Sequence, residues 1–209
     1  MITSTSILIT LIVISSALAI DVIFRPAITA HRSGKILAFV ALCILPLLVG
    51  FFGVSEHIER SKKTEFCLSC HVMEDYGRSL LVDDKEYVPA NHFQNNRIPR
   101  DKACFTCHTD YTMYGDINAK IRGLRHLYVQ YIGTMPDTIK LYSSYNNREC
   151  LHCHEGARSF GENAHHRENA TMLASITSNQ LSCMSSGCHD VIHNVHNLRD
   201  VEFWKENIQ

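Results

Sequence analysis

Cys67-Leu68-Ser69-Cys70-His71, Cys104-Phe105-Thr106-Cys107-His108, Cys150-Leu151-His152-Cys153-His154 and Cys183-Met184-Ser185-Ser186-Gly187-Cys188-His189 are the stretches from which the rest of this chain is read. The chain has 209 residues with nine cysteines and thirteen histidines; eight of the cysteines fall into these four pairs, each closed by a histidine. The first three are C-x-x-C-H, in which two thiols add to the vinyl groups of a haem and the next histidine is carried beneath the iron. The fourth holds four residues between its cysteines, and Gly187 lets that longer loop turn back. A zinc ribbon does not need a histidine after every second cysteine, and a disulfide staple needs none at all. The pattern therefore implies four covalently attached haems c, through Cys67, Cys70, Cys104, Cys107, Cys150, Cys153, Cys183 and Cys188.

Working outward, the ninth cysteine, Cys43, sits in an apolar run and reads as a small buried hydrophobe. The net charge of −1 implies no nucleic-acid partner. From residue 55 onward the chain has few aliphatic runs and many polar loops, too little apolar surface for a large core of its own. Four porphyrins would supply most of that core. The expected fold is mainly α: one or two N-terminal transmembrane helices, then a loop-rich multihaem cytochrome c domain of short helices. Gly115–Tyr131 is the clearest longer helix, and strand signals are weak.

Ile36 to Val54 carries no charge and has the length of a bilayer crossing. Met1 to Ile20 is also uncharged and admits three readings. A signal peptide is suggested by Ala17-Leu18-Ala19, but the cationic start is missing. An interfacial helix would carry Lys and Arg where this one has Ser and Thr. The third reading is a second membrane helix. The intervening loop holds Arg25, His31, Arg32 and Lys35, and basic loops mark the cytoplasmic side. The expectation is a helical hairpin, 2–22 and 36–54, anchoring residues 1–54 in the cytoplasmic membrane. Residues 55–209 then form a tetrahaem domain on the periplasmic side. Asp21 within the hairpin needs a partner or a lipid headgroup.

The stretch from Thr64 to Met73, with its C-x-x-C-H-x-M, resembles the first haem motif of the NapC/NirT family. His92-Phe93-Gln94-Asn95 resembles the family's segment ahead of the second haem, and Lys120 to Tyr128 its helix between haems two and three. The resemblance spans roughly residue 51 to the last motif. The family's single anchoring helix makes the first apolar segment a departure. The resemblance implies a membrane-anchored tetrahaem quinol dehydrogenase that passes electrons to a periplasmic redox protein or multihaem reductase.

Low-spin haems take two axial ligands, so the motif histidines His71, His108, His154 and His189 need partners. The choice lies among His57, His92, His126, His152, His165, His166, His193 and His196. The resemblance assigns His92 to the fourth haem, His193 to the third with His196 in reserve, and His165 or His166 to the second. It sets Met73 against His71 as proximal ligand of the first haem, with Met73 favoured. His126 stands where the family has an Asp near that haem's open side. His152 reads as solvent-facing.

Cys67 follows Val54 by thirteen residues, which puts the first haem within reach of a quinol head group at the membrane surface. Lys120 is the leading residue to handle the quinol's protons, with Glu74 and Asp75 behind it. Two other roles stay open. One is a non-enzymatic electron-transfer subunit of a larger membrane complex; the other is reverse transfer of electrons into the quinone pool.

Overall fold

A computed structural model describes residues 4–136, 139, 145–190 and 192–204. Residues 2 and 3 of the expected first span, and 205–209 of the C-terminal tail, lie outside the described residues. The chain divides into two compact units, Met1–Ser61 and Lys62–Gln209.

The first unit is a helical hairpin. Helix α1 (Ser4–Phe24) is followed by a 3-10 turn at Pro26–Ala30. A second helical span, Arg32–Ser61, is built from α2 (Arg32–Phe39), a π-turn at Val40–Ile44 and α3 (Leu45–Ser61). Pro46 accounts for the π-turn: it has no N–H to give, and its ring crowds the carbonyl four residues back. The Leu45 N–H reaches Val40 O instead. Thr5 Oγ1 donates to Glu56 Oε1 at 3.3 Å, so α1 and α3 run antiparallel. Small buried residues, Ser15, Gly34 and Ala41, let the backbones approach. Both spans are long and apolar enough to cross a bilayer, and only 11% and 6% of their apolar windows is buried in protein. Asp21 finds its partner in Arg25, 3.2 Å away one turn on. Cys43 departs from the expected buried hydrophobe: it is exposed on the outside of the hairpin, where lipid would replace a protein core.

The second unit is loop-rich and helical. Its helices are α4 (Thr64–Leu68), α5 (Glu74–Ser79), α6 (Val88–Gln94), α7 (Ala103–Cys107), α8 (Gly115–Tyr131), α9 (Arg148–His154), α10 (Arg158–Gly161) and α11 (Met172–Thr177). No strand occurs among the described residues, only one antiparallel bridge between Val82 and Phe203. The tail is not helical between Leu198 and Trp204. It folds back in extended form, with Asp83 N–H donating to Glu202 O and Trp204 N–H to Leu81 O. Leu198 is buried and Arg100 lies 5.4 Å over the Trp204 ring.

The apolar packing of this unit is split into three small clusters. Val82, Tyr87, Ala90 and Leu198 form one; Leu80, Phe93 and Ala103 another; Leu151, Phe160 and Ile176 a third. Two of them touch a cysteine motif directly: Ala103 precedes Cys104, and Cys183 packs on the third cluster.

The loop from the second motif into α8 is held by a close approach. A methyl on Gly115 would fall 1.3 Å from Asp110 O, whereas one on Gly123, inside the same helix, would meet nothing within 4 Å. Gly115→Ala is therefore expected to destabilise the protein by more than about 2 kcal/mol. Gly123→Ala should stabilise it by about 0.5–1 kcal/mol. Thermal unfolding of the two variants in detergent gives the comparison.

Candidate haem centres

The first three motifs begin on short helices, so their cysteines and histidines leave the backbone within one or two turns. α7 carries the second motif and α9 the third; α4 opens the first, whose His71 and Met73 share a 3-10 turn at His71–Met73. The fourth motif turns through Gly187 at φ +82°, a left-handed conformation in which glycine is unstrained.

Three motif imidazoles face a second imidazole from elsewhere in the chain. The ring centres of His108 and His193 are 6.2 Å apart and nearly parallel, at 17°. His92 and His154 stand 5.9 Å apart, and His166 and His189 6.3 Å. Two metal–imidazole bonds of about 2 Å, with the half-widths of both rings, put the centres of a trans pair roughly 6 Å apart. The three pairs fit the two faces of a haem iron.

The nitrogens are set for that role. His92 Nδ1–H donates to Val88 O at 2.8 Å and His166 Nδ1–H to Phe160 O at 2.9 Å. Because a carbonyl only accepts, both rings carry their proton on Nδ1 and present Nε2. Ser79 is buried; its hydroxyl donates to Tyr76 O at 2.6 Å, so it accepts from His193 Nδ1–H at 2.7 Å. The same tautomer results in all three, the orienting bond expected of a metal-bound histidine. Charge agrees. Burial holds His193 down to about 4, with His108 adding to the effect. Burial, then His126, also lowers His108. His154 is lowered by burial and by His92, His189 and His166. Neutral imidazoles are the form that binds metal.

The partners differ from those the family resemblance implied. His92 faces the third motif rather than the fourth, His193 the second rather than the third, and His166 the fourth rather than the second. Of the two neighbours, His166 is half-buried and bonded to Phe160 O, while His165 is exposed. His193 adopts φ +40°, a left-handed conformation rare for a non-glycine residue. Its ring is held by Ser79 and the next N–H, of Asn194, donates to Tyr87 Oη.

The first motif is different. His71 is exposed and Met73 half-buried, and no imidazole is stacked on His71 among the described residues. His126 lies on α8 close enough to lower His108. Lys120 stands 4.5 Å over the Phe105 ring, inside the second motif, and its charge favours the Cys67 thiolate. Glu74 is exposed, and Asp75 pairs with Arg78 at 3.4 Å on the surface. His57 and His196 are exposed. His152 is exposed as expected, and it stacks on Tyr111 with ring centres 3.8 Å apart.

Neighbouring motifs are clamped in sequence order by residues that motif reading passes over. Thr64 Oγ1 accepts from Ala103 N–H and donates to Arg100 O, both at 2.8 Å, joining the first motif to the second. The Cys104 thiol hydrogen-bonds to Cys67 and, with that bond as the largest cause, holds Cys67 down to about 7, while Cys104 is pushed up. Tyr145 Oη donates to Cys107 O, and Arg148 meets Asp110 at 3.2 Å, joining the second to the third. Asn147 is 1% exposed; its Nδ2 donates to Ile176 O and Leu181 O, and its Oδ1 accepts from Cys183 N–H. It joins the third to the fourth, where the Cys150 thiol hydrogen-bonds to Cys183 and holds it down to about 7. Thr64 and Asn147 each stand three residues before the first cysteine of their motif. Asn147 is the N-cap residue of α9, but its side chain caps nothing there.

An apolar hairpin and a series of clamped thiol–imidazole motifs define a membrane-anchored multihaem cytochrome c that transfers electrons. The family model for the NapC/NirT cytochrome c family, N-terminal region, matches residues 30–200, and the chain belongs to that family. Among curated relatives, the cytochrome c-type protein NapC of Escherichia coli (strain K12) is 25% identical over 179 residues, covering 75% of this chain and 84% of that protein. The cytochrome c-type protein NapC of Haemophilus influenzae is 22% identical over 122 residues, covering 51% and 56%. No solved structure matches.

Replacing Asn147 with Ala strands two carbonyls and the Cys183 N–H in a buried setting. The expected loss is on the order of 2–4 kcal/mol. Asn147→Asp, which cannot donate, should not restore it. Thermal melts of the haem-loaded protein test both.

Proposed function

We propose that this chain is a tetrahaem quinol dehydrogenase acting with a partner redox protein. It would take electrons from quinol at the membrane surface and deliver them to a periplasmic acceptor or multihaem reductase. Haem c, when bound, supplies one-electron redox chemistry tuned by axial ligands and burial. Cys67 and Cys70, Cys104 and Cys107, Cys150 and Cys153, and Cys183 and Cys188 would hold the four groups. The proposed axial pairs are His108 with His193, His154 with His92, His189 with His166, and, for the first, Met73 in place of His71 with His126 opposite.

The observation that carries the reading is the clamping of four motifs in series, first to fourth, with the first beginning six residues after Ser61. Electron transfer over such a chain needs close, fixed neighbours, and Thr64, Tyr145 and Asn147 hold the neighbours fixed. Oxidation of a quinol releases two electrons and two protons, so ionisable groups near the first motif must receive the protons. The Lys120 ammonium, over Phe105 and near Cys67, would stabilise the quinol oxygen as its proton leaves. Glu74 and Asp75 are carboxylates on the adjoining α5 able to take protons. The basic hairpin loop, Arg25, Arg32 and Lys35, supports a cytoplasmic loop and a periplasmic haem domain.

One feature favours a second reading. The helix α1 adds apolar surface that a single-helix anchor does not need, and this surface suits packing against subunits of a larger respiratory complex.

The deciding experiment adds a menaquinol analogue anaerobically to the detergent-purified protein and follows the haem c absorption bands with and without a quinol-site inhibitor. Fast, inhibitor-sensitive reduction is expected. Reduction by dithionite but not by quinol would favour the relay subunit, and absence of haem bands would end the cytochrome reading. Lys120→Ala should slow quinol-driven reduction roughly 10–100-fold without changing dithionite-reducible haem. His92→Ala, His166→Ala and His193→Ala should each turn one low-spin haem high-spin in electron paramagnetic resonance, and His165→Ala none.

A further inference from the structure

The longest helix of the second unit is turned the opposite way from an ordinary surface helix. Successive residues of an α-helix are rotated by about 100°. On α8 this puts Ile117, Ile121, Leu124 and Tyr128 on one face, with His126 roughly opposite. Polar side chains tie it to the rest of the unit. Arg122 reaches Asp110 at 3.8 Å, Asp116 accepts from Lys62 at 2.7 Å, and Lys120 covers Phe105. The apolar face points away from the unit: Ile117 is 49% exposed, Ile121 and Leu124 59%, and Tyr128 58%. Met113 and Tyr114 continue it before the helix, and Tyr131 and Ile132 at its end.

We propose that α8 lies in the membrane–water interface with its Ile117, Ile121, Leu124 and Tyr128 face in lipid. Three observations select a bilayer as the occupant. The chain carries its own anchor, two helices long and apolar enough to cross a membrane. Within the second unit, its first residue, Lys62, hydrogen-bonds to Asp116 in the first turn of α8. The composition is that of an interfacial helix. Residues 117 to 132 hold no Asp or Glu, so no negative charge on this stretch opposes a bilayer surface. Tyr114, Tyr128 and Tyr131 are the amphipathic rings enriched at headgroup level. A haem of the second motif would not cover this stripe, since His126, the residue near His108, is on the other side of the helix.

Such a helix enters the interface by about 5–10 Å. It would give the haem domain a second hold on the membrane and fix the first motif at constant height above it.

The test uses the full, haem-loaded chain in vesicles of phosphatidylethanolamine and phosphatidylglycerol. A photoreactive benzoylphenylalanine is placed at Leu124, Tyr128 or, on the opposite side of the helix, Gln130, and adducts are identified by mass spectrometry. Lipid adducts at 124 and 128, several-fold above those at 130, are expected. Adducts from 124 and 128 to peptides of the chain itself, or no lipid adducts, would overturn the proposal and point to a protein or haem surface covering the stripe. As a check free of substitutions, a lipid-soluble diazirine is applied to the unaltered protein. It should label the 117–128 peptide as well as α1; labelling confined to the hairpin would equally overturn it.

Discussion

Everything in the second unit turns on bringing an imidazole from a distant part of the chain to within one metal's width of a motif imidazole. A motif supplies two thiols and one histidine from a few consecutive residues, but the other side of the iron must be furnished by the fold. His92 lies between the first and second motifs and faces the third; His193 follows the fourth and faces the second. These two crossings stitch the first half of the domain to the second. Neither half holds its full set of facing rings without the other, and the three small apolar clusters bear correspondingly little of the work of specifying the fold.

The facing rings are fixed by single hydrogen bonds at Nδ1. For His92 and His166 the acceptor is a carbonyl a short distance back in the chain, so local helical or turn geometry suffices. His193 has no such local acceptor. Its ring depends on Ser79, 114 residues earlier, and its backbone adopts an uncommon left-handed conformation. Strain of this kind persists only where the surroundings over-determine it, and here a buried hydroxyl and the Tyr87 side chain do so.

The clamps between motifs follow one design twice. Thr64 and Asn147 occupy the same place relative to their cysteines, and each binds the backbone that leads into the following motif. The middle junction is built otherwise, from Tyr145 and the Arg148–Asp110 pair. The domain therefore reads as two similar two-motif modules joined by a distinct seam. The ion pair of Lys62 and Asp116 relates the first module to α8 and to the point where the chain leaves its anchor.

Much was legible beforehand. The attachment residues are local in sequence, since the chemistry of two thioethers and a proximal histidine demands cysteines and a histidine within a few residues. The apolar runs are local too, and α8 has the expected bounds. What escaped was non-local. Met73 and His71 sit in one turn, so spacing alone cannot rank them and only the family resemblance favours Met73. His165 and His166 are adjacent and chemically identical; burial and the Phe160 carbonyl separate them. Thr64 and Asn147 carried no signal in the sequence, because a short polar side chain does not reveal that it will bind backbone about 35–40 residues away. The sequence by itself determined where the four cysteine–histidine motifs lie and which segments are apolar enough to cross a bilayer, because both depend on neighbours along the chain. Only the tertiary structure decided which histidine faces which motif and which side of α8 is bare, because both depend on where distant segments meet.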